Sequence, residues 1–350
     1  NASMSVRTGR ECFRALTTPE AVTLVSSAGK VRASVPAGSK ATADMVQTDE
    51  AFWSVFSFRF LSGAGFTRAD CDAGLPRAVL SATIARQLFG TTDVVGHTVQ
   101  LNYIDYTVAG VVADVSMLAT AAYAQIWVPY TAADAESLSW QDDTMGPMHA
   151  VILAHSSADF DAIRKETELL RQKYNDGLRD VEIFYRGQPD TQLAYLYRRW
   201  YAEPDVPGVM LRYGIVIAIL LLVPAVNLSG MTLSRMRRRM AEIGVRKAFG
   251  ATGGELIRQV FFENFVLTLL AGVVGLALSY AATFLLNDFL FSNSTNAYLS
   301  GETALTPGML LSPWAFIAAF AFCLLMNVLS AGIPAWRASR MNITDAINQR

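Results

Sequence analysis

Three histidines, three cysteines and one glycine–lysine pair are the residues from which chemistry would ordinarily start in this chain. A phosphate-cradling loop needs a glycine-rich turn running into Gly-Lys-Ser or Gly-Lys-Thr, so that backbone amides and the lysine converge on the phosphates. Gly29-Lys30 is followed by Val31, and Leu24 stands where the first glycine belongs, so no nucleotide is bound by that route. His97, His149 and His155 lack an HExxH pattern and have no cysteine at ligand spacing, so surface or loop positions are expected for them, not a metal. No Gly-x-Ser-x-Gly elbow occurs, and scattered carboxylates make no acid–base pair without geometry. A Cys12–Cys71 disulfide is open to the chain in an oxidising compartment, but spacing cannot establish it, and two unpaired thiols are the expectation. The chain is therefore expected to move or transmit something, with no catalytic residue, metal or cofactor of its own.

Any such role has to be positioned by a membrane. Of 350 residues, 52% are hydrophobic and 17% charged, and the apolar excess is gathered almost wholly after residue 208. Apolar runs over 209–233, 264–286 and 313–333 each come close to the roughly 20 residues that cross a hydrocarbon core. Between the first two lies Arg235–Ala251, RMRRRMAEIGVRKAFGA, with six Arg or Lys against the single acid Glu242. Met236, Met240 and Ile243 recur on one helical face and Arg235, Arg239, Glu242 and Arg246 on another, which predicts an amphipathic helix stopped by Gly250. The positive-inside rule puts this helix in the cytoplasm. The 287–312 loop holds no Lys or Arg while the tail carries Arg337, Arg340 and Arg350, so residues 1–207 and the loop are outside and the tail inside. A large outside domain needs an anchor or signal ahead of it, so a preceding transmembrane helix is expected upstream of Asn1. Net charge of −1 supplies no field favouring nucleic acid. By charge alone the basic helix is equally a lipid-headgroup anchor and a docking surface. Pro224 and Asn227 interrupt the first span, as a hinge or an ordinary kink. Gly272, Gly275, Ala277 and Ser279 offer a small-residue packing face.

The first 207 residues carry the pattern of a soluble α+β unit, with one or two subdomains. Ala21–Val25 and Val31–Val35 flank a Gly-containing loop and predict a hairpin. Thr48 and Asp49 are expected to cap a short helix carrying Phe52, Trp53, Val55 and Phe56, whose aromatic groups, with Phe58 and Phe60, are expected to pack in a core. Ser62–Pro76 shows only a polar, glycine-rich passage. Ser81 and Gly90 bracket a helix, Val99–Val112 predicts two strands around Asn102–Asp105, and Gln125–Tyr130 and Ala150–Ala154 predict one strand each. Ser157 and Asp159 are expected to cap a helix over 160–174, and Val181–Tyr185 to form a last strand. The aromatic, basic stretch TQLAYLYRRWYAE suits a stalk at the membrane surface, with Trp200 and Tyr201 as anchors and Arg198 and Arg199 reaching headgroups.

Glu242-Ile243-Gly244-Val245-Arg246-Lys247-Ala248-Phe249-Gly250-Ala251, preceded by an arginine-rich helix and followed by Phe261-Phe262-Glu263-Asn264, resembles the signature of MacB/FtsX-type ABC transporter permeases. Pro334-Ala335-Trp336-Arg337-Ala338-Ser339-Arg340 resembles the end of the same domain. In the soluble part TDEAF from Thr48, LSATIARQLFG from Leu80, YTVAGVVAD from Tyr106 and IWVP from Ile126 resemble the MacB-like periplasmic core, in the right order. The resemblance implies an α+β core domain over 1–190, a stalk over 191–208 and an all-α FtsX-like domain over 209–350, with three helices here and four in the intact protein. It implies a bacterial inner-membrane protein with residues 1–207 in the periplasm. Its first membrane helix has no counterpart here, in keeping with a helix ahead of Asn1. The helix over 235–250 would be a coupling helix, with Arg239, Glu242, Ile243, Gly244, Val245, Arg246, Lys247 and Gly250 against an ABC ATPase subunit that holds ATP and magnesium. Further implied partners are a second copy or paralogue, the lipid bilayer, and a periplasmic adaptor or outer-membrane factor. The implied function is export or extraction of a hydrophobic, peptide, antibiotic or lipoprotein-like substrate by mechanotransmission. The FtsX branch leaves open a regulator that passes ATPase state to an extracytoplasmic enzyme or sensor.

Overall fold

A computed structural model describes residues 3–36, 38–117, 119–133, 135–198, 202–250, 252–286, 314 and 316–326. Two compact units divide the chain between Asp205 and Val206. In the first unit a seven-stranded sheet runs in the order β4 (Phe60–Gly63), β7 (Ile104–Val112), β5 (Arg77–Ser81), β8 (Ile126–Pro129), β3 (Lys40–Thr48), β2 (Gly29–Ser34) and β6 (Thr98–Leu101). Because β6 also pairs with β7, six of these strands close into a ring, and β4 hangs on its outside. Two pairings are parallel, β3 with β8 and β5 with β7. Strands β5 and β8 are nearly all apolar and buried, the pattern of strands covered on both faces.

Inside the ring, Val31, Ala43, Leu80, Val99, Val108, Ile126 and Val128 pack with helix α4 (Ala82–Phe89). Helix α4 is bounded as its sequence predicts: the Ser81 hydroxyl accepts from the Ile84 amide, and Gly90 ends it at φ +78°. The β6–β7 hairpin turns at Asn102 and Tyr103, both at positive φ, as a two-residue hairpin loop demands. On the other side Trp53, Phe58, Phe66 and Trp127 join Phe52 of α2 (Phe52–Val55) in edge-to-face and tilted pairs with ring centroids between 5.2 Å and 6.2 Å. Of the aromatic group of 52–60, Phe52 is core and Trp53, Phe56, Phe58 and Phe60 pack against it half-buried, and truncating a ring as enclosed as Trp127 would cost about 3–5 kcal/mol.

An outer layer holds β1 (Ala21–Ser26) antiparallel to β9 (Met148–Leu153), with α1 (Val6–Gly9), the π-turn Arg10–Arg14 that continues it, and α5 (Phe160–Asn175). Cys12, Phe13, Leu16, Val22 and Tyr174 form its core. Here three sequence expectations are corrected. The two strands of the predicted 21–35 hairpin enter different sheets, because β1 is drawn to β9 and the Thr48–Asp49 corner while β2 joins the ring. Thr48 and Asp49 bond to β1 and leave α2 without a side-chain cap. Val181–Tyr185 is no strand: Asn175 bonds both the Ile183 amide and its carbonyl, and Arg171 donates to the same carbonyl, so one helix supplies the partners a neighbouring strand would have given. The polar passage 62–76 holds the end of β4 and a helix α3 (Arg68–Asp72) with a Thr67–Asp70 capping box. Capping ahead of α5 falls to Ser156 with Asp159, on a single 3₁₀ turn. Cys12 and Cys71 are buried in separate clusters and unpaired.

After α6 (Gln192–Tyr197), the expected headgroup-seeking Arg198 is instead buried, 3% exposed, in a forked pair with Asp190, and it also bonds the Ala202 and Arg186 carbonyls. Arg199, Trp200 and Tyr201 lie outside the described residues. The second unit begins with α7 (Val206–Ala248) and α8 (Gly253–Leu285). Each contains a stretch long and apolar enough to cross a membrane, Val206–Val223 and Phe261–Ala282. Helix α7 runs unbroken through Pro224 and Asn227, so the helical assignment carries no interruption there. From the third expected span the described residues give a shorter apolar helix, Phe316–Met326, and the 287–312 loop and the tail lie outside them. A Cβ on Gly272 would meet the Phe320 ring at 3.3 Å, which fits a close-packing role, whereas one on Gly275 would meet nothing within 4 Å.

Candidate functional site

Two places gather functional groups, one in each unit. In the second unit, the stretch singled out by charge and motif occupies the last turns of α7. Arg239, Glu242, Ile243, Gly244, Val245, Arg246 and Lys247 all stand on its helical backbone. Of their side chains only Val245 is among the described ones, and it is 49% exposed. The Val245 carbonyl accepts from the Phe249 amide at 3.1 Å, and Gly250 at φ +94° then turns the chain, a conformation for which glycine is suited. Phe249 stands exposed at this turn. Thr252 and Glu255 bond each other's backbone amides at the start of α8, which begins three residues beyond Gly250. A charged helix end, a glycine turn and a newly capped helix thus meet at one corner of the second unit. Its helix is no separate element, because the sequence boundary near 234 leaves no trace in α7.

In the first unit, a cavity of about 270 Å³ opens where the outer layer meets the ring, lined by Arg10, Arg14, Glu50, Arg68, Asp72 and Tyr130, with Cys71 and Thr131. Behind it Asp49, 1% exposed, accepts from the Thr23 hydroxyl at 2.7 Å and the Leu24 amide at 3.0 Å, and lies 3.6 Å from Arg14. Arg14 also donates to Glu50 at 2.7 Å and to the Val22 carbonyl at 2.8 Å. Burial pushes the Asp49 carboxyl above the ordinary range against the pull of Arg14 and Thr23. Burial acts on Glu50 too, but there the Arg14 hydrogen bond outweighs it and holds the carboxyl below that range. Arg10 donates to the Tyr130 hydroxyl at 3.3 Å and stacks 5.4 Å from its ring centre. Arg68 and Asp72 lie 3.6 Å apart and are largely exposed, a pair worth at most about 1 kcal/mol. The Cys71 thiol is pushed up to about 12 by burial and by the charges of Glu50 and Asp49, so it is no nucleophile at neutral pH. Among the described residues no group of three His, Cys, Asp or Glu could hold a metal. His149, in β9, meets the Ser27 hydroxyl at 3.1 Å, and His155 lies 3.8 Å from Glu20.

Of the residues lining the cavity only Cys71 is singled out by the sequence, and only as a thiol. They come from the π-turn, the β3–α2 corner, α3 and the end of β8, and nothing in the spacing of those segments foretells that they meet.

Residues 3–170 match the model of the MacB-like periplasmic core domain, and residues 214–343 that of the FtsX-like permease C-terminal domain. The pyoverdine export ATP-binding/permease protein PvdT of Pseudomonas aeruginosa is 25% identical over 85% of this chain and 41% of its own length. The macrolide export ATP-binding/permease protein MacB of Chromobacterium violaceum is 26% identical over 87% of this chain and 43% of its own. The ABC transporter permease YknZ of Bacillus subtilis is 25% identical over 85% of this chain and 68% of its own. The chain thus spans less than half the length of the first two relatives and about two thirds of the third.

Proposed function

We propose that this chain, which belongs to the MacB/FtsX-type permeases of ABC transporters, converts ATP hydrolysis by a separate ATPase subunit into movement of its extracytoplasmic domain. The observation that carries the reading is α7, one helix from Val206 to Ala248. At 1.5 Å per residue it is about 65 Å long, roughly twice the hydrocarbon thickness of a bilayer. It begins directly after Asp205, where the chain first passes from one unit to the other, and ends in the Glu242–Gly250 corner. A push or twist received at that corner would travel along a single rod. The corner docks on the ATPase, with Glu242, Arg246 and Lys247 supplying charge and Gly244 allowing close approach, and two permease copies or paralogues share the complex. ATP and magnesium are held by that ATPase subunit.

The work done outside is export or extraction of a hydrophobic, peptide or lipoprotein-like substrate, a class suggested by relatives named for pyoverdine and macrolide export. A regulatory reading, in which ATPase state is passed to an extracytoplasmic enzyme without transport, draws on the FtsX-like match over 214–343. The test uses the tagged full-length chain purified with its ATPase from native membranes. Glu242→Lys and Gly244→Trp are expected to lower complex-dependent ATP hydrolysis at least about tenfold, a loss of 1.4 kcal/mol or more of coupling. Wild-type hydrolysis in both variants refutes the docking corner. Intact coupling with no change in efflux on deleting the chain favours the regulator.

A further inference from the structure

Helix α6, near the end of the first unit, turns its apolar side chains outward. Its one buried residue is Ala194, while Leu193, Tyr195 and Leu196 stand 44%, 46% and 64% exposed. At about 100° per residue these three share with Gln192 an arc of about 160° opposite Ala194. A helix that faces water shows the reverse pattern, and three large apolar side chains within four residues make a patch, unlike leucines scattered singly over a surface. The patch is held stiffly, although six residues are too few for a helix to persist alone. The Thr191 hydroxyl accepts from the Ala194 amide at 3.2 Å, and Arg198 folds back from the other end to fork onto Asp190, with one bond at 2.7 Å. The same guanidinium, 3% exposed, donates to the Arg186 and Ala202 carbonyls, each at 3.2 Å. Arg186, Asp190, α6 and Ala202 are thereby fastened into one clip.

From Ala202 to Val206 the chain takes four steps, at most about 14 Å. Val206 opens the stretch that is long and apolar enough to cross a membrane. The polar interface of a bilayer is itself roughly 5–7 Å deep on each side, so the clip is within reach of the lipid. We infer that Leu193, Tyr195 and Leu196 lie in the interface of the extracytoplasmic leaflet, at the boundary between headgroups and acyl chains, and seat the first unit on the bilayer. Sequence charge assigns headgroup contact to Arg198, but that arginine is spent inside the clip. The contact is carried by leucine and tyrosine, so it persists in high salt, where one carried by arginine would weaken. This inference rests on Val206–Val223 crossing the membrane and not on the docking corner.

The test needs no ATPase. The full-length chain carrying Cys323→Ser is reconstituted in phosphatidylcholine nanodiscs with an environment-sensitive fluorophore on one introduced cysteine, Cys12 and Cys71 being buried. Leu196→Cys is compared with Val216→Cys in the apolar stretch of α7 and with Ile104→Cys in the ring, three positions each more than half exposed, so that the variants fold. Lipid spin-labelled near the headgroup is expected to quench the Leu196 label at least about twofold, at low salt and at about 1 M salt alike. Lipid spin-labelled deep in the acyl chain is expected to quench the Val216 label, and neither lipid the Ile104 label. A Leu196 label left as bright as the Ile104 label overturns the proposal, as does quenching that disappears in high salt. A Leu196 label that is blue-shifted yet unquenched also overturns it, because a second copy or another protein then covers the patch. An unquenched Val216 label overturns the membrane crossing itself and this inference with it, so the two failures are told apart.

Discussion

Removing the Asp49 carboxylate should release β1 from the ring without unfolding the whole domain. In Asp49→Ala the Thr23 hydroxyl and the Leu24 amide lose acceptors at 2.7 Å and 3.0 Å, in a place where no water reaches them. An orphaned buried donor costs about 1–3 kcal/mol. Two of them would give about 4 kcal/mol, offset in part because the variant no longer buries a carboxylate whose charge is disfavoured there. Arg14 keeps Glu50 at 2.7 Å, so no isolated charge is left behind. A net loss of about 3 kcal/mol follows, and exchange of β1 amides through local opening should accelerate on the order of 100-fold. Asp49→Asn keeps one acceptor oxygen and no charge, so about 1 kcal/mol and roughly fivefold are expected. The assay is hydrogen exchange with mass spectrometry on the full chain, reading the peptide over 21–26 against one over β7. Unchanged exchange of β1 in Asp49→Ala, or equal damage by Asn and Ala, would refute the idea that this carboxylate is the latch.

Glu166 of α5 accepts from the Thr17 amide at 2.8 Å, the Thr17 hydroxyl at 2.7 Å and the Thr18 amide at 3.0 Å. Burial opposes its charge, but these bonds outweigh burial and hold the carboxyl down at about 2. Because the folded value lies below the unfolded one, the stabilisation is present above pH ~4.5 and fades as pH falls toward 2. Glu166→Gln should therefore cost about 1–2 kcal/mol at pH 7, discounted for partial exposure, and the gap in urea midpoints should close on acidification; a gap that widens in acid contradicts the assignment. Gly63 sits at φ +65°, and a Cβ there would lie 2.2 Å from the Ala109 carbonyl oxygen, whereas one on Gly29 would meet nothing within 4 Å. Gly63→Ala should cost about 3 kcal/mol and several degrees of Tm while Gly29→Ala stays within about 0.5 kcal/mol, and equal melting of the two variants would overturn that contrast.

Local chemistry was legible in the sequence where it was sufficient. Ser81 and Gly90 bracket their helix because a hydroxyl and a left-handed glycine act within four residues, and Asn102–Tyr103 turns the β6–β7 hairpin for the same reason. Partners chosen over distance were not legible. Alternation alone joined β1 to β2, yet β1 pairs with a strand that starts at Met148, and Asp49, a plausible cap by position, was taken by Thr23 and Leu24. Val181–Tyr185 has strand composition, but Asn175 and Arg171 fill its hydrogen bonds from a helix. The Glu242–Gly250 corner was visible as a charge pattern and a motif, because both are linear. Arg10, Arg14, Arg68 and Tyr130 converge only after the ring has closed, so no window of residues contains them.

The ring of strands also has a bearing on how the domain comes into being. Its parallel seam aligns Met45 with Ile126, about 80 residues apart, and β1 waits for β9 across a still longer gap, Ala21 to Leu153. Pairings between such distant segments must meet the entropy of closing large loops before contacts reward it, which makes folding slow. The β1–β9 pair can therefore not form before the chain has been delivered through Leu153, nor the ring before it has been delivered through Pro129. Until then β3 and β5 lack the neighbour β8, and their open edges are the surfaces on which a chain of this kind would aggregate or require a chaperone outside the membrane.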